Sequence, residues 1–251
     1  MTARRLAPIA AILVAASLAA CNPSAAQSGS SDSKPSAPAT SAGTPDASAG
    51  ASPSAAPGAP AGGGGLSLAE AIAKIPAADE NRTGYKRDSF RHWIDEDGDS
   101  CSTRNEVLIA EAVKAPEQGA RCTLAGGEWL SYYDEVTVTD ARKLDIDHMV
   151  PLAEAWDSGA SAWDADRRMR YANDLGAERS LVAVTAKTNR SKADKDPSEW
   201  MPPAESAKCI YLADWTGTKL RWKLTADDKE RTALETLAKG CTNTVKYEVA
   251  P

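Results

Sequence analysis

From about Leu66 onward the sequence predicts an α+β fold, with a strand, strand, helix (ββα) unit near its centre and further helices around it. Three observations point there. Lys143 to Val150 alternates apolar Leu144 and Ile146 with acidic neighbours and runs straight into Pro151, a residue suited to the first turn of a helix. Leu181 to Thr185 is a short apolar strand candidate that gives way at once to a polar helical stretch from Lys187 to about Trp200. The C-terminal part then carries two more helical stretches, the last opening at Thr225 with Asp228 and closing at Gly240.

The other elements follow in order. Leu66, Leu68, Ile72 and Ile75 suggest a short amphipathic helix that stops before Pro76. Ser102 or Thr103 can cap a helix over Thr103 to Lys114, with Val107, Leu108 and Val113 on its apolar face and Pro116 beyond its end. Glu128 to Thr139, rich in aromatic and β-branched residues, supplies strands. The helix that begins at Pro151 runs through Trp156 and can end at Gly159, and Asp164 caps another through Leu175. Trp156, Trp163, Trp200, Trp215 and Trp222 have helical settings, which favours core packing over a stacking platform for bases.

The first quarter of the chain is different. Residues 1–21 combine Arg4 and Arg5, an apolar run from Leu6 to Leu18, and a small-residue ending directly before Cys21, which together read as an export signal rather than a membrane span. The Leu-Ala-Ala-Cys ending resembles a bacterial lipobox, which implies lipidation of Cys21 and attachment to the cell membrane through a lipid anchor. Residues 22–65 are almost wholly Ser, Ala, Pro, Gly and Thr, too poor in apolar side chains to offset the entropy of ordering, and read as a tether. Residues 66–251 are the expected folded domain, extracytoplasmic and either lipid-anchored or secreted. In that oxidising setting Cys101, Cys122, Cys209 and Cys241 suggest two disulfides. Three pairings are open, and proximity favours Cys101 with Cys122 and Cys209 with Cys241, each closing a loop worth roughly 3 kcal/mol.

Charge and motif content narrow the function. The chain has 29 Lys and Arg against 35 Asp and Glu; without Arg4, Arg5, Lys34, Asp32 and Asp46, the part from Leu66 keeps 26 and 33. That acidity argues against passive coating of nucleic acid but leaves room for a local basic groove, to which Lys187, Arg190 and Lys192 could contribute. No G-x-S-x-G elbow, P-loop or H-E-x-x-H occurs. With two histidines and no C-x-x-C spacing, a zinc site lacks its ligands. The acidic loop Asp95, Glu96, Asp97, Gly98, Asp99 departs from the EF-hand pattern, which wants glycine where Ser100 stands.

The chemistry concentrates where the Leu144 strand meets the Pro151 helix. Asp147 and His148 are adjacent there, and a strand end can turn enough for one to hold a metal while the other faces a phosphate. Asp147 to Trp156 (D-H-M-V-P-L-A-E-A-W), Tyr171 to Leu175 (Y-A-N-D-L), Thr188 to Pro197 (T-N-R-S-K-A-D-K-D-P) and Trp93 to Arg104 (W-I-D-E-D-G-D-S-C-S-T-R) carry a family resemblance. Over roughly Phe90 to Cys241 the chain resembles the HNH, or ββα-metal, endonucleases, in particular the secreted bacterial group related to the C-terminal nuclease domain of GmrSD-type restriction enzymes. The resemblance implies a ββα-metal core with added helices, braced by disulfides, that hydrolyses phosphodiester bonds of DNA or RNA. It implies Asp147 and Asn189 as metal ligands, His148 as general base and Asn173 as the middle Asn that steadies the His-bearing loop. Where the name-giving motif ends in a second histidine, Asn189 offers oxygen, which suits a hard divalent ion, magnesium first and manganese second. Arg104, through its planar fork, and Lys192, as a point charge, are candidates for phosphate oxygens. The partners expected are nucleic acid, DNA foremost, and the membrane, with no obligate protein partner. The competing reading is a noncatalytic surface lipoprotein that binds ligands through a nuclease-like fold.

Overall fold

The computed structural model describes residues 65–251; the expected export segment, Cys21 and all but the last residue of the expected tether lie outside the described residues. In chain order the elements are β1 (Leu66–Ser67), α1 (Leu68–Lys74), α2 (Thr103–Ala110), β2 (Glu117–Gln118), β3 (Leu124–Ala125), β4 (Trp129–Ser131), β5 (Val136–Val138) and β6 (Leu144–His148). There follow α3 (Leu152–Asp157), α4 (Ala165–Ala172), β7 (Leu181–Thr185), α5 (Ala186–Lys192), α6 (Glu205–Trp222), α7 (Asp228–Leu237) and β8 (Thr244–Val245). Helices and strands mix as expected of an α+β chain. Among the described residues no helix is long and apolar enough to cross a membrane.

The strands that matter for function are β6 and β7, an antiparallel ribbon in which Leu144 faces Thr185 and His148 faces Leu181. The link between them carries α3 and α4, and β7 passes directly into α5, with Thr185 capping the helix by accepting from the Thr188 amide. Successive side chains of a strand point to opposite faces. Leu144, Ile146, Leu181 and Ala183 accordingly join Val107, Leu108, Trp129 and Val138 in a smaller core. Val182 and Val184 face the other way, into the larger core with Tyr133, Met149, Tyr211, Trp215 and Trp222. β7 is therefore buried at every residue, which is why it reads as an apolar run without alternation.

Helix ends depart from the expected positions, each for a tertiary reason. α1 starts at Leu68 rather than Leu66 because Leu66 and Ser67 pair with β8, and Ser67 then forms a capping box with Glu70. α2 stops at Ala110: the Glu111 carboxylate takes the Ala183 amide at 2.8 Å and Lys114 bridges to Glu128, so the chain is drawn out and Val113 ends 67% exposed instead of on an apolar face. α5 ends at Lys192, where Ala193 takes φ 53°, and residues up to Trp200 form a turn closed on the Asp196 carbonyl. α7 opens at Asp228 under an Asp227 cap, later than Thr225, whose amide donates to the Ser158 carbonyl. Trp215 and Trp222 are buried, and Trp156, Trp163 and Trp200 pack partly buried against the same core.

Two cross-links and two ionic centres hold these parts together. Cys101 bonds Cys122 and Cys209 bonds Cys241, the pairing that proximity favoured. Lys219, fully buried, donates to Glu154 at 2.9 Å and Glu230 at 2.5 Å, and Arg221 grips Asp174 through Nε and Nη2, both at 2.8 Å. Such pairs tolerate burial because every donor finds an acceptor.

Candidate active site

His148 ends β6, and its ring is fixed on all sides. Trp93 lies with its ring centroid 5.4 Å away, tilted 30°, and Tyr171 lies 6.3 Å away at 20°. Its Nε2 sits 3.0 Å from the Ala172 carbonyl oxygen. A carbonyl can only accept, so Nε2 carries the proton and Nδ1 keeps its lone pair. Burial pushes the ring's pKa down to about 3, helped by the nearby charges of His92, Arg87 and Lys192 and opposed by the Ala172 bond. The imidazole is neutral at physiological pH and presents one basic nitrogen.

Asn173 holds the surroundings of that ring. Its Nδ2 donates to the Arg91 and Met169 carbonyls, both at 2.8 Å, and its Oδ1 accepts from the Ile94 amide at 3.1 Å and the Thr103 hydroxyl at 2.9 Å. The side chain thus clamps both ends of the 91–94 turn. Within that turn Trp93 takes φ 60°, a conformation a bulky residue adopts only when its surroundings impose it. The clamp holds Trp93 in place against His148. With Asn173 engaged this way and Asp174 bound by Arg221, α4 cannot continue, and Leu175, expected inside it, ends 44% exposed.

Asp147 points the other way. Its Oδ2 accepts from the Tyr133 hydroxyl at 2.7 Å and from Lys192 Nζ at 2.5 Å. Lys192 completes its three donors on the His148 and Met149 carbonyls, at 2.9 and 2.8 Å, and lies 5.7 to 5.8 Å from the ring centres of Tyr133, Tyr211 and Trp215. Burial pushes the Asp147 carboxyl up and the Lys192 ammonium down, and in each case the partner's charge opposes the shift. Three satisfied donors favour the ammonium form.

One open pocket of about 290 Å³ brings Asp147, His148 and Asn189 together, with Arg87, Arg190 and Asp194 also on its walls. Asn189 Nδ2 is 3.3 Å from Asp145 Oδ2, which leaves its carbonyl oxygen unengaged. Both hydrogen bonds to Asp147 fall on Oδ2, so Oδ1 is the atom available to the pocket. Two oxygen donors of this kind fit a hard divalent ion that keeps part of its water shell, and fit zinc poorly.

Two expected phosphate contacts lie elsewhere. Arg104 donates through Nη2 to the Ala141 and Leu144 carbonyls at 3.2 and 2.7 Å, so its fork ties α2 to the start of β6, away from the pocket. Lys192 is 0% exposed and behind Asp147, where no phosphate reaches it. Asn173 does not line the pocket either; it acts through the 91–94 turn. Conversely, nothing local in the sequence marks Arg87 or Tyr133, which only the fold brings to the His148 pocket and to Asp147, and Trp93 stands out there only as the first residue of the Trp93 to Arg104 motif. Asp95, Asp97 and Asp99 cluster on an exposed loop, where their carboxylates accept amides of the same loop. Ser100 there takes φ 77°, the left-handed conformation for which the sixth position of an EF-hand loop uses glycine.

Residues 106–237 match the family model of the C-terminal domain of GmrSD restriction endonucleases. An uncharacterized secreted protein of Arthroderma benhamiae (strain ATCC MYA-4681 / CBS 112371) is 38% identical over 175 residues, which cover 70% of this chain and 83% of that protein. No solved structure matches the chain.

Proposed function

Because the chain belongs to the family of the C-terminal domain of GmrSD restriction endonucleases, we propose that it is an exported, metal-dependent endonuclease of the HNH type that hydrolyses phosphodiester bonds, with DNA as the foremost substrate. The observation that carries this reading is the setting of His148: Nε2 donates to the Ala172 carbonyl, which leaves the Nδ1 lone pair unengaged, and the residue lines a pocket together with Asp147 and Asn189. The ββα-metal core of this reading corresponds to β6, β7 and α5, with Asp147 and Asn189 as the residues that would hold the ion.

In this mechanism His148 Nδ1 accepts a proton from water as the oxygen attacks phosphorus in line with the leaving oxygen. A general base supplies at most roughly 3 to 5 kcal/mol of the 8 to 23 an enzyme contributes, and less when its pKa lies well below the working pH, so positioned charge must supply the rest. A bound divalent ion, magnesium first and manganese second, would stabilise charge on the leaving oxygen. Tyr133 and Lys192 hold Asp147, and Asn173 holds the wall of rings that keeps His148 oriented. Lipidation at Cys21, after cleavage between Ala20 and Cys21, would tether the domain outside the membrane through residues 22–65. Export agrees with the two disulfides and with a relative described as secreted.

The test is nicking of supercoiled plasmid by the purified protein, disulfides intact, with magnesium, manganese or EDTA. We expect cleavage with either ion, none in EDTA, and a loss of about 10²- to 10⁴-fold in His148→Ala. A folded protein that cleaves nothing with either ion, or a His148→Ala variant as fast as wild type, overturns the reading.

A further inference from the structure

Among the described residues, every charged side chain on the wall of the His148 pocket has an opposite partner, except one. Asp147 is 2.5 Å from Lys192, Asp194 is 3.6 Å from Arg82, and Arg190 is 3.7 Å from Asp145. Arg87 lines the same pocket and makes no ion pair among the described residues. It is solvent-exposed, so an anion can reach it without first breaking a buried ion pair.

The backbone beneath it is well anchored. Arg87 opens a 3-10 turn, Arg87–Ser89, closed by the Phe90 amide on the Arg87 carbonyl at 3.0 Å. Phe90 is 0% exposed and packs its ring against Tyr85, Trp156 and Tyr171. The turn is thus fixed to the core that also holds His148, and the side chain projects from it into the pocket. A guanidinium offers two parallel donors that match the oxygens of a phosphate.

We propose that Arg87 binds the phosphodiester anion drawn into the His148 pocket, as the one cation on its wall without an ion pair among the described residues. The inference deepens the nuclease reading and rests on it for the reaction, though not for anion binding itself. Arg87 lies outside the span that matches the family model, residues 106–237, so that match assigns it no role.

The experiment compares wild type, Arg87→Ala and Arg87→Lys as full chains with disulfides intact. One arm measures binding of a short labelled DNA duplex in EDTA over a range of potassium chloride. The other measures plasmid cleavage with magnesium or manganese, and thermal unfolding checks the fold. We expect Arg87→Ala to lower kcat/KM roughly 10- to 100-fold, with an unchanged unfolding temperature. The slope of log affinity against log salt should fall by about one. Arg87→Lys should keep the slope but recover only part of the rate, since it keeps the charge and loses the fork. If wild type cleaves and Arg87→Ala equals it in rate and slope, the Arg87 contact is overturned and the nuclease reading stands. If wild type binds DNA through Arg87 yet cleaves nothing, the contact stands and the nuclease reading falls. A wild type that neither binds nor cleaves overturns both.

Discussion

Replacing Lys192 with methionine tests how the site is held. The ammonium is 0% exposed and donates to Asp147, His148 and Met149, so methionine fills the space among three rings but leaves Asp147 with only Tyr133. Removing one partner of a buried pair costs about 3 to 5 kcal/mol, because the other charge stays buried alone. Measured against a typical total of about 5 to 15 kcal/mol, Lys192→Met should remain folded but with a clearly lowered denaturation midpoint. The loss should depend on pH. Burial already raises the Asp147 carboxyl above 3.8, and without Lys192 it rises further. A carboxyl raised in the folded state loses stability as pH climbs through and above its unfolded value, so the deficit should be larger at pH 7 than at pH 4. Asp147→Asn with Lys192→Met removes both charges and should recover a substantial part of the loss, read as a coupling in a double-mutant cycle. The assay is urea unfolding in EDTA with disulfides intact. A deficit under about 1 kcal/mol at pH 7, or a double variant no more stable than the single one, would refute the reasoning.

Two further outcomes follow from the same geometry. Asn173→Ala removes four hydrogen bonds and frees the 91–94 turn; kcat should fall at least as much as stability suggests, and Trp93 fluorescence should change, whereas an unchanged emission spectrum and rate would count against the clamp. Burial pushes the Glu111 carboxyl up to about 7, so its contribution to stability is present in acid and is lost as pH rises from about 4.5 to 7. Glu111→Gln, which keeps an acceptor for the Ala183 amide, should flatten that part of the stability-pH curve by roughly 3 kcal/mol, and an unaltered curve would sink the assignment.

What could be read from the sequence was local. The β6 and β7 runs, the Pro151 helix and the placing of Asp147 and His148 at a strand end depend on neighbours a few residues away; Asn189 is marked only by the family resemblance, and the three residues line one pocket. What could not be read depended on distant contacts. Lys192 and Arg104 have the composition of surface cations, but burial behind Asp147 and donation to the Ala141 and Leu144 carbonyls turn both into braces. The expected ends of α2 and α4 failed because Glu111, Asn173 and Asp174 are gripped by segments far along the chain. Arg87 lies sixty-one positions before His148 and enters the site only because Phe90 is packed beside Tyr171.

The acceptor that sets the His148 proton is main chain, the carbonyl of the last residue of α4. Helix ends leave such carbonyls without partners inside the helix, and here that leftover group selects the tautomer. No side chain performs this task, so no exchange of side-chain chemistry at position 172 can abolish it; only the volume there is constrained, because Ala172 is fully enclosed. The readiness of the base is therefore inherited with the path of the backbone. A variant of this fold could change other side chains around the pocket and keep the same tautomer, provided Asn173 and Asp174 still ended α4 in the same place.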